Sequence, residues 1–302
     1  MSAVFLYGRP SSRVCLAGIS APSIGRGTGG DSVALRRALR AAATVSLDEE
    51  EFVLRAQSSG AILEPAYDPA GSRVAGYTAR WRGVGKIGPA VNDHQLSFDL
   101  RLNELRHAWS QDSHAQSTAL AEWSRASSRL TVARDNVIAT EPRLWMRALI
   151  DGFKFSQSLV EFAPADVQAW SWVGARVAGI LSMWSQRSES YPGELAYAAD
   201  ELARLTFQPG ARQRPTRPRP ASELGAAAFV IGHLDAEDPM CERLLLGHLI
   251  AAVRAITGSY RERGETQAAD TLEATVIRRL IRVRHCIHPE PPGAHGNSEA
   301  RS

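Results

Sequence analysis

A long helical pattern near the middle of the chain constrains the fold most. Between residues 165 and 187, apolar side chains recur at helical spacing and form one stripe, made of Val167, Trp170, Val177, Leu181 and Trp184. Such a stripe is typical of an amphipathic helix that buries one face against neighbours. The segment therefore predicts a helical bundle, and the tryptophans are interpreted as core residues rather than as a cofactor site.

Six further helical patterns flank this segment. They cover 117–139, Pro142 to about Val160, Pro192 to Phe207, 222–234, 238–263 and 265–287. Asp238 followed by Pro239 is the residue pair expected at an N-cap and the first helical position. We expect a bundle of about seven helices.

The N-terminal third has a different pattern. A first helix is predicted for 31–45 with Asp31 as its N-cap, and a second helix is predicted after Ser46, where Glu49 completes a capping box. The alternating segments 61–67 and 73–81 flank a turn sequence and predict a hairpin, before helical pattern resumes at 102–109. The predicted fold is mainly α: a small α-β-β-α module with one hairpin, followed by a multi-helix bundle.

Composition shifts suggest the boundaries. Gly, Ser and Pro are frequent in residues 1–30, Pro and Arg in 208–220, and Pro and Gly after His288. We predict a poorly ordered segment 1–30, the module 31–110, a helical bundle 117–207, a linker 208–220, C-terminal helices 221–288 and a disordered tail 289–302.

The cellular setting is predicted from cysteines and hydropathy. The three cysteines, Cys15, Cys241 and Cys286, lack paired spacing, which indicates reduced thiols in a cytosolic protein. We find no signal-peptide pattern, and no apolar run approaches the roughly 18 residues that a membrane span requires. The expected localisation is cytoplasmic, with no membrane partner.

Basic residues cluster on the predicted hairpin. Residues 69–92 contain Arg73, Arg80, Arg82 and Lys86 without an acid, and Tyr77 and Trp81 lie among them. Cations that follow phosphates and rings that stack on bases suit single-stranded nucleic acid. A solvated hairpin is the alternative, because strand parity can place Tyr77 and Trp81 inward while Arg80 and Arg82 face outward.

Two other basic clusters have ordinary alternatives. The arginines of 204–220 suit either a mobile phosphate-binding arm or an Arg/Pro linker. Arg278, Arg279, Arg282 and Arg284 suit a solvated helix face. The overall bias is also ambiguous: all but two of the 35 basic residues are arginine, which suits phosphate but equally reflects a GC-rich genome.

The block 46–109 contains the strings EEEFVLRAQSSGAILEPAY, GSRVAGYTARW and GKIGPAV, followed by LSFDLRLNELRHAW. In these strings it resembles the region that follows the nuclease core in actinobacterial mobilisation relaxases. The corresponding positions are Glu50, Glu51, Phe52, Gly60, Gly76, Tyr77, Thr78, Gly85, Lys86, Leu102, Leu105 and Arg106. The loop departs from the family's Gly-Ser-Lys-Leu pattern, since Gly85, Lys86 and Ile87 stand there with a longer insertion.

The resemblance implies DNA binding without cutting. The family's nuclease core contains a His-hydrophobe-His metal cluster and an N-terminal tyrosine nucleophile. None of the eight histidines here forms that spacing, which leaves Tyr7 without an activating metal. We therefore expect no catalytic residue, cofactor or metal, and a DNA-binding accessory or degenerate relaxase-like protein. Its candidate contacts are Arg73, Arg80, Arg82, Lys86, Arg106, Tyr77 and Trp81, and its expected partners are single-stranded or transfer-origin DNA and a relaxase or other mobilisation protein.

Other interpretations stay open. The main alternative is a helical protein-interaction scaffold without a nucleic-acid role. An enzyme ranks last; it would be a nuclease built from Asp93, His94 and Asp99. The glycines of 25–30 match a dinucleotide-binding pattern, but no strand–helix–strand unit surrounds them. The histidines and cysteine of 285–288 lack the further ligands of a zinc site.

Overall fold

The structure is a computed structural model that describes residues 28–83, 86–109, 111–126, 142–233 and 238–287. Over these ranges the chain forms eleven helices and a four-stranded antiparallel sheet, which confirms the mainly α prediction. The end of the helix predicted for 117–139, the tail 289–302 and Tyr7 lie outside the described residues. Within those ranges, no helix has the length and apolarity needed to cross a membrane.

The N-terminal half combines the sheet with short helices. Its elements are α1 (Thr28–Val45), α2 (Glu49–Ser58), β1 (Ala61–Tyr67), β2 (Val74–Gly83), β3 (Lys86–Ile87), β4 (Val91–Asn92), α3 (Asp93–Leu96), a 3-10 turn (Phe98–Leu100), α4 (Leu102–Arg106) and α5 (Ser113–Ala126). Strand β2 is central: β1 pairs with one of its edges, while β3 and β4 pair with the other.

The hairpin follows the prediction closely. Ala61 lies opposite Trp81, and Tyr67 lies opposite Val74. The turn between the strands closes because Asp68 accepts hydrogen bonds from the backbone amides of Ser72 and Arg73, and Gly71 takes a φ of +67°, which a glycine adopts without strain. The short strands β3 and β4 were not predicted.

The predicted caps of the first two helices were wrong, whereas Asp238 caps the helix Pro239–Glu262 as predicted. Helix α1 begins at Thr28, so Asp31 lies in its first turn instead of capping it. Asp48, and not Ser46, caps α2, because its carboxylate accepts from the Glu51 amide at 2.7 Å. The Ser46 hydroxyl donates instead to the carbonyl of Ala42 in the preceding helix.

Aromatic side chains fill the core between the sheet and its helices. The Tyr77 ring stacks on Trp123 of α5 at 5.7 Å and meets Phe52 of α2 edge-on at 6.1 Å. Trp109 lies 5.4 Å from Phe52. These contacts tie the inner face of β2 to the helices.

The remaining helices form the bundle. They are α6 (Pro142–Ser158), α7 (Val167–Ser188), α8 (Glu194–Thr206), α9 (Gly225–His233), α10 (Pro239–Glu262) and α11, which runs through Thr266–Leu272, a π-helical stretch Glu273–Ile277 and Arg278–Ile287. Helix α7 is the central one, with α1, α8, α9 and α10 packed around it. Val167 of the predicted stripe is exposed, but the rest of the stripe is buried, together with nearly every other residue from Ala169 to Ser185.

Two glycines let neighbouring helices approach α7 closely. A β-carbon added at Gly174 would collide with the Thr206 side chain of α8, and one added at Gly179 would collide with Thr44 of α1. Glycine therefore sets the distance between these helices.

Helix α1 also carries the main polar connection between the two halves. The Arg40 guanidinium donates to both carboxylate oxygens of Asp99 in the 3-10 turn, at 2.7 and 3.1 Å, and both side chains are almost fully buried. Arg40 also lies 3.4 Å from Asp200 of α8, which Arg36 binds with two hydrogen bonds. The network thus joins the sheet half to the bundle.

The charge of Asp99 is maintained by this network. Burial raises the pKa of the Asp99 carboxyl, but the charge and hydrogen bonds of Arg40, with help from Arg212, outweigh burial and bring the pKa to about 2. Burial lowers the pKa of Arg212 to about 10 although Asp99 opposes this effect, so both groups are charged at neutral pH.

The segment 208–220 contains no helix, as predicted, but Arg212 does not belong to a mobile arm. The Arg212 side chain is largely buried, and its Nε donates to the Asp99 carbonyl at 3.3 Å. Nearby, the Gly210 amide donates to Glu104 of α4 at 2.7 Å. These contacts hold the segment against the sheet half.

Substituting Gly179 by alanine tests the close helix contact. Because the added methyl collides with Thr44, we expect the free energy of unfolding to fall by about 1 to 3 kcal/mol, measured by urea denaturation. Gly258→Ala in α10 is the matched control: nothing lies near its added methyl, and alanine is the better helix former by about 1 kcal/mol. A stabilising Gly179→Ala would contradict the packing described here.

Asp99→Asn tests the buried pair. We expect a loss of about 3 to 5 kcal/mol near neutral pH, because Arg40 is left buried without its counter-charge. The folded pKa of about 2 lies below the ordinary value of about 4, so the contribution is complete above pH 4 and disappears as pH falls to about 2. Urea denaturation across this range should therefore show the two proteins converging. Glu201→Gln, in an exposed pair with Arg204, should change stability by less than about 1 kcal/mol.

Candidate nucleic-acid interface

From Tyr77 onward the residues of β2 alternate between the core and an outer face, whereas before it Val74 and Gly76 are buried and Ala75 is exposed. Tyr77 is 1% exposed, and its hydroxyl donates to the Leu100 carbonyl at 2.6 Å. Burial raises the pKa of Tyr77 well above its usual range, and the nearby carboxylates of Asp93 and Asp99 add to this effect. A ring enclosed in this way cannot stack on a base, so the prediction that Tyr77 contacts DNA is wrong.

Trp81 belongs to the same inner side. Its ring packs against the N-terminal core and lies 3.4 Å from the position of a β-carbon at Gly60. Inward packing, which strand alternation offered as the alternative, therefore describes Trp81 in part; the ring is only partly buried, and its contact with a base stays a prediction.

Arg80 and Arg82 lie together on the outer face. The Arg80 side chain is 40% exposed and lies 3.4 Å from Glu64, a similarly exposed residue of β1. Ile87 of β3 stands opposite Arg82 and is 58% exposed, so it shares the outer face. We call Arg80, Arg82 and Ile87 the outer-face cluster.

Lys86 and Arg73 lie apart from this cluster. Lys86 stands opposite Gly83, and its ammonium contacts Asp31 at the start of α1 at 2.7 Å, on the side of the sheet where the helices pack. Arg73 is an exposed residue that precedes β2 at the hairpin turn. The structure therefore does not bring the four predicted cations together on one surface.

Arg106 has a structural role that the sequence did not reveal. Its guanidinium donates to both carboxylate oxygens of Glu49 at 2.7 and 2.8 Å, and both side chains are mostly buried. Glu49 also accepts from the Trp123 indole at 2.8 Å. Because its donors are used within the fold, Arg106 is corrected from a DNA contact to a link between α2, α4 and α5.

The positive charge around the hairpin cations is more fully compensated by acids than the sequence indicates. The window 69–92 contains no acid, but Glu64 of β1 approaches Arg80 and Asp31 of α1 contacts Lys86. Exposed ion pairs of this kind contribute at most about 1 kcal/mol, so a phosphate can replace Glu64 beside Arg80 with little loss. The predicted strand register could have identified Glu64 in advance.

An exposed aromatic group was missed by the sequence reading. Phe98 is 54% exposed, stacks on Phe207 at 5.5 Å, and has the Arg101 guanidinium 4.3 Å from its ring centre. Aromatic rings and arginine are the groups with which proteins hold single-stranded nucleic acid. The only signal in the sequence was an isolated phenylalanine between Ser97 and Asp99.

The two acids considered for a nuclease site make structural contacts within the fold. Asp93 is buried, and its carboxylate accepts from the Leu102 amide at 3.1 Å. Asp99 is paired with Arg40, while the exposed His94 lies 3.7 Å from Asp93. Over the described ranges, no three His, Cys, Asp or Glu side chains group as metal ligands. His288 falls outside those ranges.

Comparison of the chain with protein-family models, with curated proteins and with solved structures gave no match. The resemblance to mobilisation relaxases consequently depends on the motif positions alone.

Arg106→Gln distinguishes a structural arginine from a DNA contact. Since Glu49 would lose its charged partner in a mostly buried site, we expect unfolding free energy to fall by about 3 kcal/mol in urea denaturation. Arg55→Gln breaks the neighbouring exposed pair with Glu51 and should lower it by about 0.5 kcal/mol. Equal, small effects of both substitutions would show that Arg106 does not support the fold.

Proposed function

We propose that the chain binds single-stranded DNA through the outer-face cluster. It would be a cytoplasmic accessory or degenerate relaxase-like mobilisation protein without a nicking site, acting at transfer-origin DNA or beside a relaxase. The observation that carries the proposal is the position of Arg80 and Arg82 together on the outer face of β2, where both side chains are partly exposed.

The arrangement suits the ligand chemically. The two guanidinium groups follow one strand at alternate positions, which lets each meet a phosphate while Ile87 offers an apolar contact to a base. The relaxase resemblance supports the proposal through the same block of sequence.

The double variant Arg80→Gln with Arg82→Gln tests this proposal. We expect weaker binding of a labelled single-stranded oligonucleotide at low salt, and a salt dependence whose logarithmic slope is shallower by roughly 0.7 for each lost phosphate contact. Fluorescence anisotropy over a salt series gives both quantities. Arg254→Gln with Arg278→Gln, two exposed arginines of α10 and α11, removes the same charge elsewhere and is the control.

Two results would contradict the proposal. Absence of oligonucleotide binding by the unmodified chain at low salt would leave the helical protein-interaction scaffold as the better description. Equal losses in the double variant and its control would show that net charge, and not the outer-face cluster, attracts the DNA.

A further inference from the structure

Helix α6 presents a second apolar face in addition to the one it buries. Trp145 and Phe155 face the bundle core, whereas Met146, Ile150 and Phe153 are 57%, 46% and 53% exposed. Their spacing of four and then three residues places them in one stripe along two turns. We call Met146, Ile150 and Phe153 the α6 stripe.

A cavity lies between α6 and α9 close to this stripe. It has a volume of about 300 Å³ and is lined by Leu144, Arg147, Ala226, Phe229 and Val230. Arg147 is the only charged residue of the lining, and the cavity can receive an apolar side chain. Apolar stripes and cavities of this kind are typical of surfaces that bind another protein.

A line of cations runs beside the α6 stripe. Arg143, Arg147 and Lys154 are exposed, and helical spacing places all three on one side of α6, between the stripe and the cavity. Within the part of the chain that the structure describes, no ion pair involves any of them.

The one acid of α6 does not neutralise these cations. Asp151 accepts from the Ser222 hydroxyl and from the backbone amides of Ala226 and Ala227, so its carboxylate is used at the N-terminus of α9. Among the residues that the structure describes, the surface therefore combines an apolar stripe with an edge of cations that form no ion pair.

We propose that the α6 stripe and the adjoining cavity bind an acidic amphipathic helix of a partner protein. An amphipathic helix anchors in a groove through side chains at positions i, i+3 or i+4, and i+7, which is the spacing that the stripe offers. Acidic residues flanking those anchors meet Arg143, Arg147 and Lys154.

The cations and the cavity of this surface favour an acidic helix over a second copy of the chain or a lipid surface. In a symmetric dimer the same surface meets itself, which would bring the three cations against their own copies. A lipid surface offers no side chain for the cavity between α6 and α9. An acidic helix satisfies the stripe, the cavity and the cations together.

The test uses a labelled synthetic helical peptide with leucines at i, i+3, i+4 and i+7 and glutamates at the flanking positions. We expect the full chain to bind this peptide in fluorescence anisotropy, and a peptide with lysine in place of glutamate to bind at least about tenfold more weakly. Ile150→Glu should weaken binding of the acidic peptide by about tenfold or more. Leu54→Glu, an equivalent change of an exposed leucine on α2, is the control.

A second variant covers the case in which Ile150→Glu perturbs folding, as judged by circular dichroism. Arg147→Gln with Lys154→Gln leaves the apolar residues intact and should reduce both the affinity and its salt dependence. Oligonucleotide binding should be unchanged in Ile150→Glu. A failure of the peptide-binding proposal can therefore be distinguished from a failure of the DNA-binding proposal.

Several outcomes would overturn the inference. These are no binding of the acidic peptide, equal binding of the lysine peptide, or an equal loss with Leu54→Glu. Sedimentation velocity showing a dimer that Ile150→Glu dissolves would identify a second copy as the occupant. Phosphatidylglycerol vesicles that bind the chain through Ile150 and displace the peptide would identify a lipid surface.

Discussion

The buried contact between Arg40 and Asp99 fixes helix α1, which packs against α7 of the bundle, to the segment that follows the sheet. Removing two charges from water is unfavourable unless each finds a partner with good geometry, and here the guanidinium engages both carboxylate oxygens. Since Arg40 lies on α1 and Asp99 follows the sheet, one arrangement of helix and sheet satisfies both. Asp200 of α8 adds the bundle to the same network.

Much of the fold was predictable because its signals are local. Helical periodicity located α7, and strand alternation located the hairpin. The cap of α2 was mispredicted because Ser46 and Asp48 are both good caps. The choice depends on whether the side chain can instead bond the preceding helix, as Ser46 does with Ala42. The burial of Arg212 was hidden for a related reason: its partner Asp99 is far away in the sequence.

Within the candidate site, only the face on which a β2 side chain lies was predictable, because side chains alternate along a strand. Strand alternation places Tyr77 and Arg80 on opposite faces of β2, and the structure agrees. The pairing of Arg106 with Glu49 was not accessible, because it needs the relative position of two helices that the sequence does not specify. The α6 stripe was missed for the opposite reason: apolar residues occupy most of that helix, and periodicity does not tell which of them a neighbour will cover.

The two proposed surfaces both attract anions, yet their physical basis differs. On β2 the guanidinium groups dominate, and binding to DNA draws on the release of counterions, which added salt suppresses steeply. On α6 the cations border an apolar stripe, and burial of Ile150 and Phe153 by a helix is insensitive to screening. A phosphate backbone cannot replace that apolar contact, so DNA held by α6 alone would be released at salt concentrations where an acidic helix stays bound. Salt dependence therefore separates the two surfaces even though their charges have the same sign.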